Sequence, residues 1–270
     1  MLFFIFDDSY ANSVVNISSN DKIYTSVFHD NKISSQIISI ADKSQPTINS
    51  PNMKAAEPFL PTEKNFCSNN LIGKQTFQGY SIISGTNNPD NLNGTTNRDL
   101  ILGLDGDDKI NGLGEGDVIC GGKGNDDLRG DTVFDPEEMQ NIPPSGKDLI
   151  FGQEGNDIIL GGAEDDFLYG GAGNDVFYGH QGDDYIQGGD GDDGGYGNGG
   201  DDSIHGSNGN DKFNGREGND KLYGGKGNDN LQGDEGKDLL DGGEQYDKCY
   251  HGQDDTQNTM FLNCEFTAQF

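Results

Sequence analysis

The sequence predicts an all-β protein whose main part is a parallel β-solenoid, and three features of one short repeat predict this fold. From Gly152 to Tyr250 the chain consists of eleven consecutive nine-residue units without an insertion or deletion. Written from its first glycine, each unit has Gly at position 1 and Asp at position 6, and position 8 is usually a large apolar residue. A fixed nine-residue period is typical of a parallel β-helix.

Six further units extend this register towards the N-terminus, so that seventeen units cover residues 85–250. All seventeen keep Gly at position 1 and Asp at position 6; the six added units start at Gly85, Gly94, Gly103, Gly112, Gly121 and Gly130. The unit from Gly130 is interrupted by thirteen inserted residues, 133–145. We expect this insertion to form a surface loop on one turn.

The composition of the unit predicts how its residues are used. Positions 1 to 6 are glycine-rich and predict turns, whereas positions 7 to 9 predict a three-residue strand with position 8 facing inwards. Two units then form one coil, and the apolar position-8 side chains stack inside it. Gly195 is the one position-8 residue without a side chain, which marks the thinnest core layer.

Such a solenoid buries about one large side chain per unit, which offsets little of the backbone entropy that folding removes. Stacking also aligns the position-6 aspartates in two columns along the two edges, where the carboxylates repel one another. A divalent cation between successive coils would remove this repulsion. Oxygen ligands on a flexible backbone favour Ca²⁺ over Mg²⁺.

The units Gly121–Arg129 (GGKGNDDLR), Gly170–Tyr178 (GGAGNDVFY) and Gly224–Gln232 (GGKGNDNLQ) resemble the RTX, or hemolysin-type, calcium-binding nonapeptide GGxGxDxUx. The resemblance covers about residues 85–250. It implies a right-handed parallel β-roll with Ca²⁺ between its turns, in a secreted protein. A disordered Gly- and Asp-rich segment is the alternative, above all when calcium is absent.

The candidate metal ligands are position-6 aspartates, assisted by backbone carbonyl groups, and we expect on the order of ten Ca²⁺ ions. They are Asp108, Asp126, Asp148, Asp157, Asp166, Asp175, Asp184, Asp193, Asp202, Asp211, Asp220, Asp229, Asp238 and Asp247. Calcium binding is doubtful in the first two units, where Asn88 and Asn97 replace Gly at position 4. Glu115 and Glu164 also stand at position 4, where we expect them to distort the turn at positive φ.

Charge and composition restrict the partners. The chain has a net charge of −30, of which residues 1–66 contribute only −2. We therefore expect no nucleic acid as a partner, because phosphate binding needs basic surfaces. No stretch of the chain has the length and apolarity of a transmembrane segment.

The flanking regions differ from the repeat. Residues 1–66 contain strand-prone fragments, Lys22–Phe28 and Ile37–Ile40, followed by a Pro-rich linker over 41–66. Residues 67–84 are expected to cap the first coil, and residues 251–270 to cap the last one.

Four cysteines flank the two ends of the repeat, and they allow three pairings. We favour Cys67 with Cys120 and Cys249 with Cys264, while free thiols in a cytosolic protein are the alternative. Disulfides and calcium sites both fit an extracellular or cell-surface location.

These observations predict a secreted, calcium-binding β-roll that folds on binding Ca²⁺ and acts as an extracellular structural or surface-interaction module. Its partners would be components of the cell surface or extracellular matrix. The alternative is an accessory or secretion domain of an exported RTX-type enzyme or toxin. The chain contains no His-Glu-x-x-His or nucleophile motif, so we expect no enzymatic activity.

Overall fold

A computed structural model describes residues 2–6, 13–19, 22–29, 32–36, 67, 76–77, 79–131, 145–252 and 259–269. The chain forms two compact bodies, Met1–Asn65 and Phe66–Phe270. The predicted linker over 41–66 and residues 133–144 of the predicted insertion lie outside the described residues.

The first body contains a four-stranded antiparallel sheet in which neighbouring strands are consecutive along the chain. Its strands are β1 (Leu2–Phe6), β2 (Ser13–Ser19), β3 (Lys22–His29) and β4 (Lys32–Gln36). The strand-prone fragment Lys22–Phe28 lies within β3. The second fragment, Ile37–Ile40, lies outside the described residues.

The second body consists of two stacked sheets that the chain enters alternately. The eleven-stranded sheet contains β5 (Thr76–Phe77), β6 (Tyr80–Ser84), β8 (Asp99–Asp105), β10 (Val118–Lys123), β12 (Leu149–Glu154), β14 (Phe167–Ala172), β16 (Tyr185–Asp190), β18 (Ser203–Asn208), β20 (Lys221–Lys226), β22 (Leu239–Glu244) and β24 (Met260–Leu262).

The ten-stranded sheet contains β7 (Asn91–Asn93), β9 (Lys109–Asn111), β11 (Asp127–Arg129), β13 (Ile158–Ala163), β15 (Val176–Gln181), β17 (Gly194–Gly199), β19 (Lys212–Glu217), β21 (Asn230–Glu235), β23 (Lys248–His251) and β25 (Phe266–Gln269). Apart from the antiparallel pair β5–β6, each strand pairs in parallel with the strand two places further along the chain. The all-β parallel β-roll predicted from the sequence is confirmed.

Most strands are longer than the repeat predicts. In the regular part of the roll they are six residues long, as in β19, and include positions 1 to 3 of the following unit. The prediction of a three-residue strand is therefore wrong. The reason is that the parallel pairing continues beyond position 9, for example between Asn198 and Arg216, so only the remaining residues of each unit form the turn.

Position 8 forms the interior, as predicted. The side chains from Ile101 to Cys249 at this position form one continuous cluster with at most 1% of their surface exposed. Gly195 adds no side chain, and there Phe177 and Phe213 from the two adjacent coils lie with their ring centroids 6.2 Å apart. Two large rings thus occupy the space of a missing third side chain.

A second apolar cluster lies outside the roll interior, near its N-terminal end. Units from the first part of the repeat carry apolar residues at positions 7 and 9 as well, and these pack with Cys67, Tyr80 and Ile82; its buried members are Leu100, Leu102, Val118, Cys120 and Phe151. The segment before the repeat therefore contacts the outer surface of the eleven-stranded sheet.

The two favoured disulfides are confirmed. Cys67 is bonded to Cys120, and Cys249 is bonded to Cys264. Cys249 occupies a position-8 place in the interior, so the second disulfide joins the last unit to the segment that follows it. In that segment β24 pairs with β22 and β25 with β23, which adds one strand to each sheet.

The turns use a backbone conformation that explains the glycine at position 4. Gly182 and Gly209, two examples, have φ of +130° and +148°, a region that side chains rarely adopt. Glu164 and Gln245 stand at position 4 with φ of +74° and +89° instead, the left-handed helical region. Glu115 does not have a positive φ, so the expectation that it is strained in this way is wrong.

Within the described residues, no helix is long and apolar enough to cross a membrane.

Candidate metal-binding turns

All fourteen predicted aspartates are buried, each with at most 2% of its surface exposed, and they lie in two columns. Column A lies in the turns that precede the strands of the ten-stranded sheet. It contains Asp108, Asp126, Asp157, Asp175, Asp193, Asp211, Asp229 and Asp247. Column B precedes the strands of the other sheet and contains Asp148, Asp166, Asp184, Asp202, Asp220 and Asp238.

One carboxylate oxygen of each aspartate links adjacent coils. Oδ1 of Asp211 accepts a hydrogen bond from the backbone N–H of Asp193 at 2.8 Å, and Oδ1 of Asp193 accepts one from Asp175 in the same way. The same contact recurs along both columns. The side chain is therefore fixed by the preceding coil of the roll.

The other carboxylate oxygen has no hydrogen-bond partner in fourteen position-6 aspartates of the described chain, although it is buried. These are thirteen of the predicted residues, all except Asp238, together with Asp117. A buried acceptor without a donor is costly, and a buried unpaired carboxylate is more so. A cation beside these oxygens, or protonation of the carboxyl groups, would offset this cost.

The glycine at position 1 makes room for this second oxygen. A Cβ atom built on Gly206 would lie 2.2 Å from Oδ2 of Asp211 and 2.6 Å from the backbone carbonyl oxygen of Gly224. Gly103 and Gly170 give equivalent distances to their own aspartate and to the next coil. Position 1 must be glycine because any side chain would occupy the space beside the carboxylate and the carbonyl group.

These residues fit a calcium ion. Each gap between coils offers an unpartnered carboxylate oxygen close to a backbone carbonyl oxygen, and Ca²⁺ takes six to eight oxygen ligands in a flexible arrangement. Within the described residues, no point brings together three or more His, Cys, Asp or Glu side chains. Backbone carbonyl groups would have to complete the ligand set, and the turns provide them.

Burial raises the pKa of these carboxyl groups, because removing them from water penalises the charged form. The pKa is about 7 for Asp184, about 8 for Asp202 and Asp220, and about 10 for Asp166. In Asp166 the neighbouring carboxylate of Asp148 raises it further, whereas hydrogen bonds from the backbone act in the opposite direction. The metal-free roll therefore opposes the ionisation of its own aspartates at neutral pH.

The first two units satisfy the second oxygen without a metal. Thr86 donates hydrogen bonds from its backbone N–H and its hydroxyl group to Oδ2 of Asp90, at 2.6 and 3.0 Å. Thr95 does the same to Asp99, at 2.5 and 2.9 Å. These two turns therefore lack the unpartnered Oδ2 that the other units offer, although Oδ1 of Asp99 is buried without a partner.

The structure adds Asp117 and Glu265 to the columns. Asp117 is 1% exposed with an unpartnered Oδ2, like the predicted ligands, so the irregular residue Glu115 in its turn does not remove it from column B. Glu265 accepts a hydrogen bond from the backbone N–H of Asp247 and extends column A by one carboxylate. Pattern reading missed Glu265 because the residues before it do not follow the repeat.

Asp238 differs from the other predicted residues. Thr259 lies with its hydroxyl group 3.4 Å from Oδ2 of Asp238 and donates a hydrogen bond to it. At this end of column B, a residue from beyond the repeat therefore contacts the carboxylate.

Position 5 forms a second ladder on the outside of the turns, which sequence reasoning also missed. Asn and Asp side chains there accept hydrogen bonds from the backbone N–H of position 5 in a neighbouring coil, as Asn156 does from Asn174 at 2.7 Å. Asp201 accepts from Asn219 in the same way. The available signal was the frequency of Asn and Asp at this position.

The sequence matches the family model described as RTX calcium-binding nonapeptide repeat (4 copies). The matched segments are residues 84–119, 93–128, 145–168, 160–194, 196–231 and 214–249, which together span more than half of the chain. No curated protein matches the sequence. The family match and the buried aspartate columns agree on the same residues, and the chain belongs to the RTX calcium-binding nonapeptide-repeat family.

Proposed function

We propose that this protein is a secreted, non-enzymatic β-roll that folds when Ca²⁺ enters the gaps between its coils and then serves as an extracellular structural or surface-interaction module. The observation that supports the proposal is the set of buried Oδ2 atoms without a donor. Without a cation, the roll places these carboxylates in the interior of a chain that already has a net charge of −30.

The number of candidate gaps between coils supports an expected number of ions on the order of ten. Unpartnered Oδ2 atoms occur on eight aspartates of column A and six of column B. An ion between two successive carboxylates of a column would neutralise both. Metal binding would then supply free energy for folding, since the ligands come together only in the folded chain.

The extracellular location is supported by the two disulfides, because such bonds persist in oxidising compartments. Calcium sites of moderate affinity are also filled where the ion is abundant. Detection of the protein on intact cells or in their medium, compared with a cytosolic marker, tests the location. Retention of the protein with the cytosolic marker would contradict it.

The test of folding is a calcium titration of the chelated protein at pH 7, followed by far-UV circular dichroism. We expect a cooperative gain of β-structure with Ca²⁺ and a much weaker response to Mg²⁺. Sodium chloride in excess chelator provides the control, because salt screens charge without filling the gaps. A roll already formed in chelator, or one restored equally well by sodium chloride, would contradict the proposal.

A further inference from the structure

One buried aspartate of the roll stands outside the repeat pattern. Among the buried polar side chains of the described chain, Asp131 is the one that is not at position 6 of a unit. It stands at position 2 of the unit that begins at Gly130. In the sequence the inserted residues 133–145 separate it from Asp148, the position-6 residue of the same unit. The two aspartates therefore belong to one turn of column B.

The side chain of Asp131 lies against the next coil. Its Oδ2 accepts a hydrogen bond from the backbone N–H of Ala163 at 3.1 Å. A Cβ atom built on Gly162 would lie 2.5 Å from Cβ of Asp131 and 2.9 Å from this oxygen. Gly162 and Ala163 stand at positions 2 and 3 of the unit that contains Asp166. The carboxylate of Asp131 therefore lies in the gap between two successive turns of column B.

This gap contains two buried carboxylate oxygens without a partner. Asp131 has 6% of its surface exposed, and its Oδ1 has no hydrogen-bond partner within the described residues. Oδ2 of Asp148 is unpartnered as well. A Cβ atom built on Gly130 would lie 1.9 Å from that oxygen and 2.5 Å from the carbonyl oxygen of Gly161. A regular gap, such as the one beside Gly206, offers one such carboxylate oxygen next to a carbonyl group of the next coil.

The carboxylates around the gap act on one another. Burial raises the pKa of Asp148 to about 9, and the charge of Asp131 raises it further. Burial also raises the pKa of Asp131 to about 6. The backbone N–H groups of Ala163 and Gly146 oppose this second shift, and the carboxylate of Glu164 in the next coil adds to it. A cation in this gap would therefore be attracted by more negative charge than a cation in a regular gap.

The coils that precede this gap have contacts that need no metal. Threonine hydroxyl groups donate hydrogen bonds to Oδ2 of Asp90 and Asp99. The second apolar cluster adds buried side chains outside the roll interior as far as Phe151. The disulfide between Cys67 and Cys120 joins the segment before the repeat to this cluster. One side of the gap is thus supported before the regular gaps are filled.

The affinity of a site for Ca²⁺ depends on the number of its charged ligands and on its rigidity. We propose that this gap is a calcium site distinct from the regular gaps, in which the carboxylate of Asp131 is an additional ligand beside that of Asp148, and that it is the tightest site of the roll. The inference rests on the proposed function, because the two turns must stack to form the site. It makes the interrupted turn the place where Ca²⁺ binds first and is released last.

The test counts the calcium ions that the full chain, with its disulfides intact, retains at a series of EGTA-buffered free Ca²⁺ concentrations. Elemental analysis after ultrafiltration gives the count, and far-UV circular dichroism follows the roll in the same samples. Asp131→Asn removes the additional charge but keeps an oxygen for the N–H of Ala163. Asp234→Asn is the matched control, because Asp234 also stands at position 2 but is partly exposed, with its Oδ1 bonded to the amide of Gln232 at 2.6 Å.

We expect the wild-type chain to retain one ion at a free Ca²⁺ concentration about tenfold below that at which the other ions leave. Asp131→Asn should release this ion together with the others, whereas Asp234→Asn should behave like the wild-type chain. Glu164→Gln is a second variant, at an exposed side chain whose packing is not at stake. It should release the same ion at about threefold higher free Ca²⁺, because a more exposed charge contributes less.

Release of all ions from the wild-type chain in one step would overturn the inference. So would an ion that Asp131→Asn and Glu164→Gln both retain as the wild-type chain does, or equal effects of Asp131→Asn and Asp234→Asn. If Asp131→Asn does not form the roll in saturating Ca²⁺, the result for Glu164→Gln decides. In each case, loss of β-structure together with the ions leaves the proposed function standing, whereas a roll that keeps its β-structure after the last ion has left would contradict that function instead.

Discussion

Replacing Asp184 by Asn should change the stability of the roll in opposite directions with and without calcium. Oδ1 of Asp184 accepts a hydrogen bond from the backbone N–H of Asp166 at 2.8 Å, and the oxygen of an Asn side chain can keep this contact. Oδ2 is buried without a partner. The substitution replaces this oxygen with an amide nitrogen and removes one negative charge.

In excess chelator at pH 7, Asp184→Asn should stabilise the roll. Burial raises the pKa of Asp184 from 3.8 to about 7, and one pKa unit corresponds to about 1.4 kcal/mol. The charged carboxylate therefore costs at most about 4 kcal/mol of folding free energy, and water that enters the gap reduces this cost. Asparagine avoids the cost because it is neutral.

In saturating Ca²⁺ the same substitution should destabilise the roll. Asp184 lies between Asp166 and Asp202 in column B, so its oxygen faces a candidate site. Loss of one site costs about 2.7 kcal/mol when the free calcium concentration is about a hundred times the dissociation constant. We expect a loss of about 3 kcal/mol, seen as a higher calcium midpoint and a lower urea midpoint.

The assay compares calcium titrations with titrations of the chelated protein by trimethylamine oxide, an osmolyte that favours compact states. Asp183→Asn is the matched control, since it removes the same charge from an exposed neighbour whose Oδ1 only accepts the N–H of Asp201. Its effect should stay within about 0.5 kcal/mol in both conditions. If Asp184→Asn destabilises the chelated and calcium-loaded proteins alike, or if Asp183→Asn matches it, the reasoning is refuted.

Three other changes test separate parts of the structure. Gly206→Ala would place a Cβ 2.2 Å from Oδ2 of Asp211 and should weaken calcium binding in a titration. Gly199→Ala is its control and should leave calcium binding unchanged, because its Cβ would first meet the flexible side chain of Gln181, at 3.0 Å. In excess chelator, acidification from pH 8 to pH 4 should increase β-structure in circular dichroism. Burial raises the pKa of Asp193 to about 8 and that of Asp148 to about 9 in the folded chain. The folded state therefore binds more protons than the unfolded state, and its stability falls as the pH rises through these pKa values. A chelated chain that loses β-structure on acidification would contradict this. Replacing Cys249 and Cys264 by Ser removes a disulfide that closes a loop of 15 residues. The free energy of unfolding, measured by urea denaturation with Ca²⁺, should fall by about 3 kcal/mol. An unchanged urea midpoint would show that this disulfide adds no stability.

The sequence alone determined the period, the fold class and the alignment of the aspartates. A nine-residue repeat with Gly at position 1, Asp at position 6 and an apolar position 8 has few ways to bury its apolar residues other than by stacking. Every predicted aspartate is buried in a column for that reason. For the four cysteines the sequence only favoured one of three pairings, Cys67 with Cys120 and Cys249 with Cys264, and the structure confirms it.

Only the tertiary structure decided which aspartates have an unpartnered Oδ2. Asp90 and Asp99 share position 6 with the others, yet their Oδ2 atoms accept hydrogen bonds from the hydroxyl groups of Thr86 and Thr95. Asp117 keeps its unpartnered oxygen although its turn departs from the repeat. These differences depend on hydrogen bonds to position 2, which the repeat pattern does not specify.

The length of the strands and the packing of the Gly195 layer likewise depend on contacts between coils. Glycine at positions 1 to 3 suggests a turn when one unit is read alone, but backbone pairing with the neighbouring coils keeps these residues extended. Gly194 and Gly195 indicate a thin core layer in the sequence. That Phe177 and Phe213 meet across this layer follows from the register of the strands, because residues 36 positions apart become neighbours only when the coils stack.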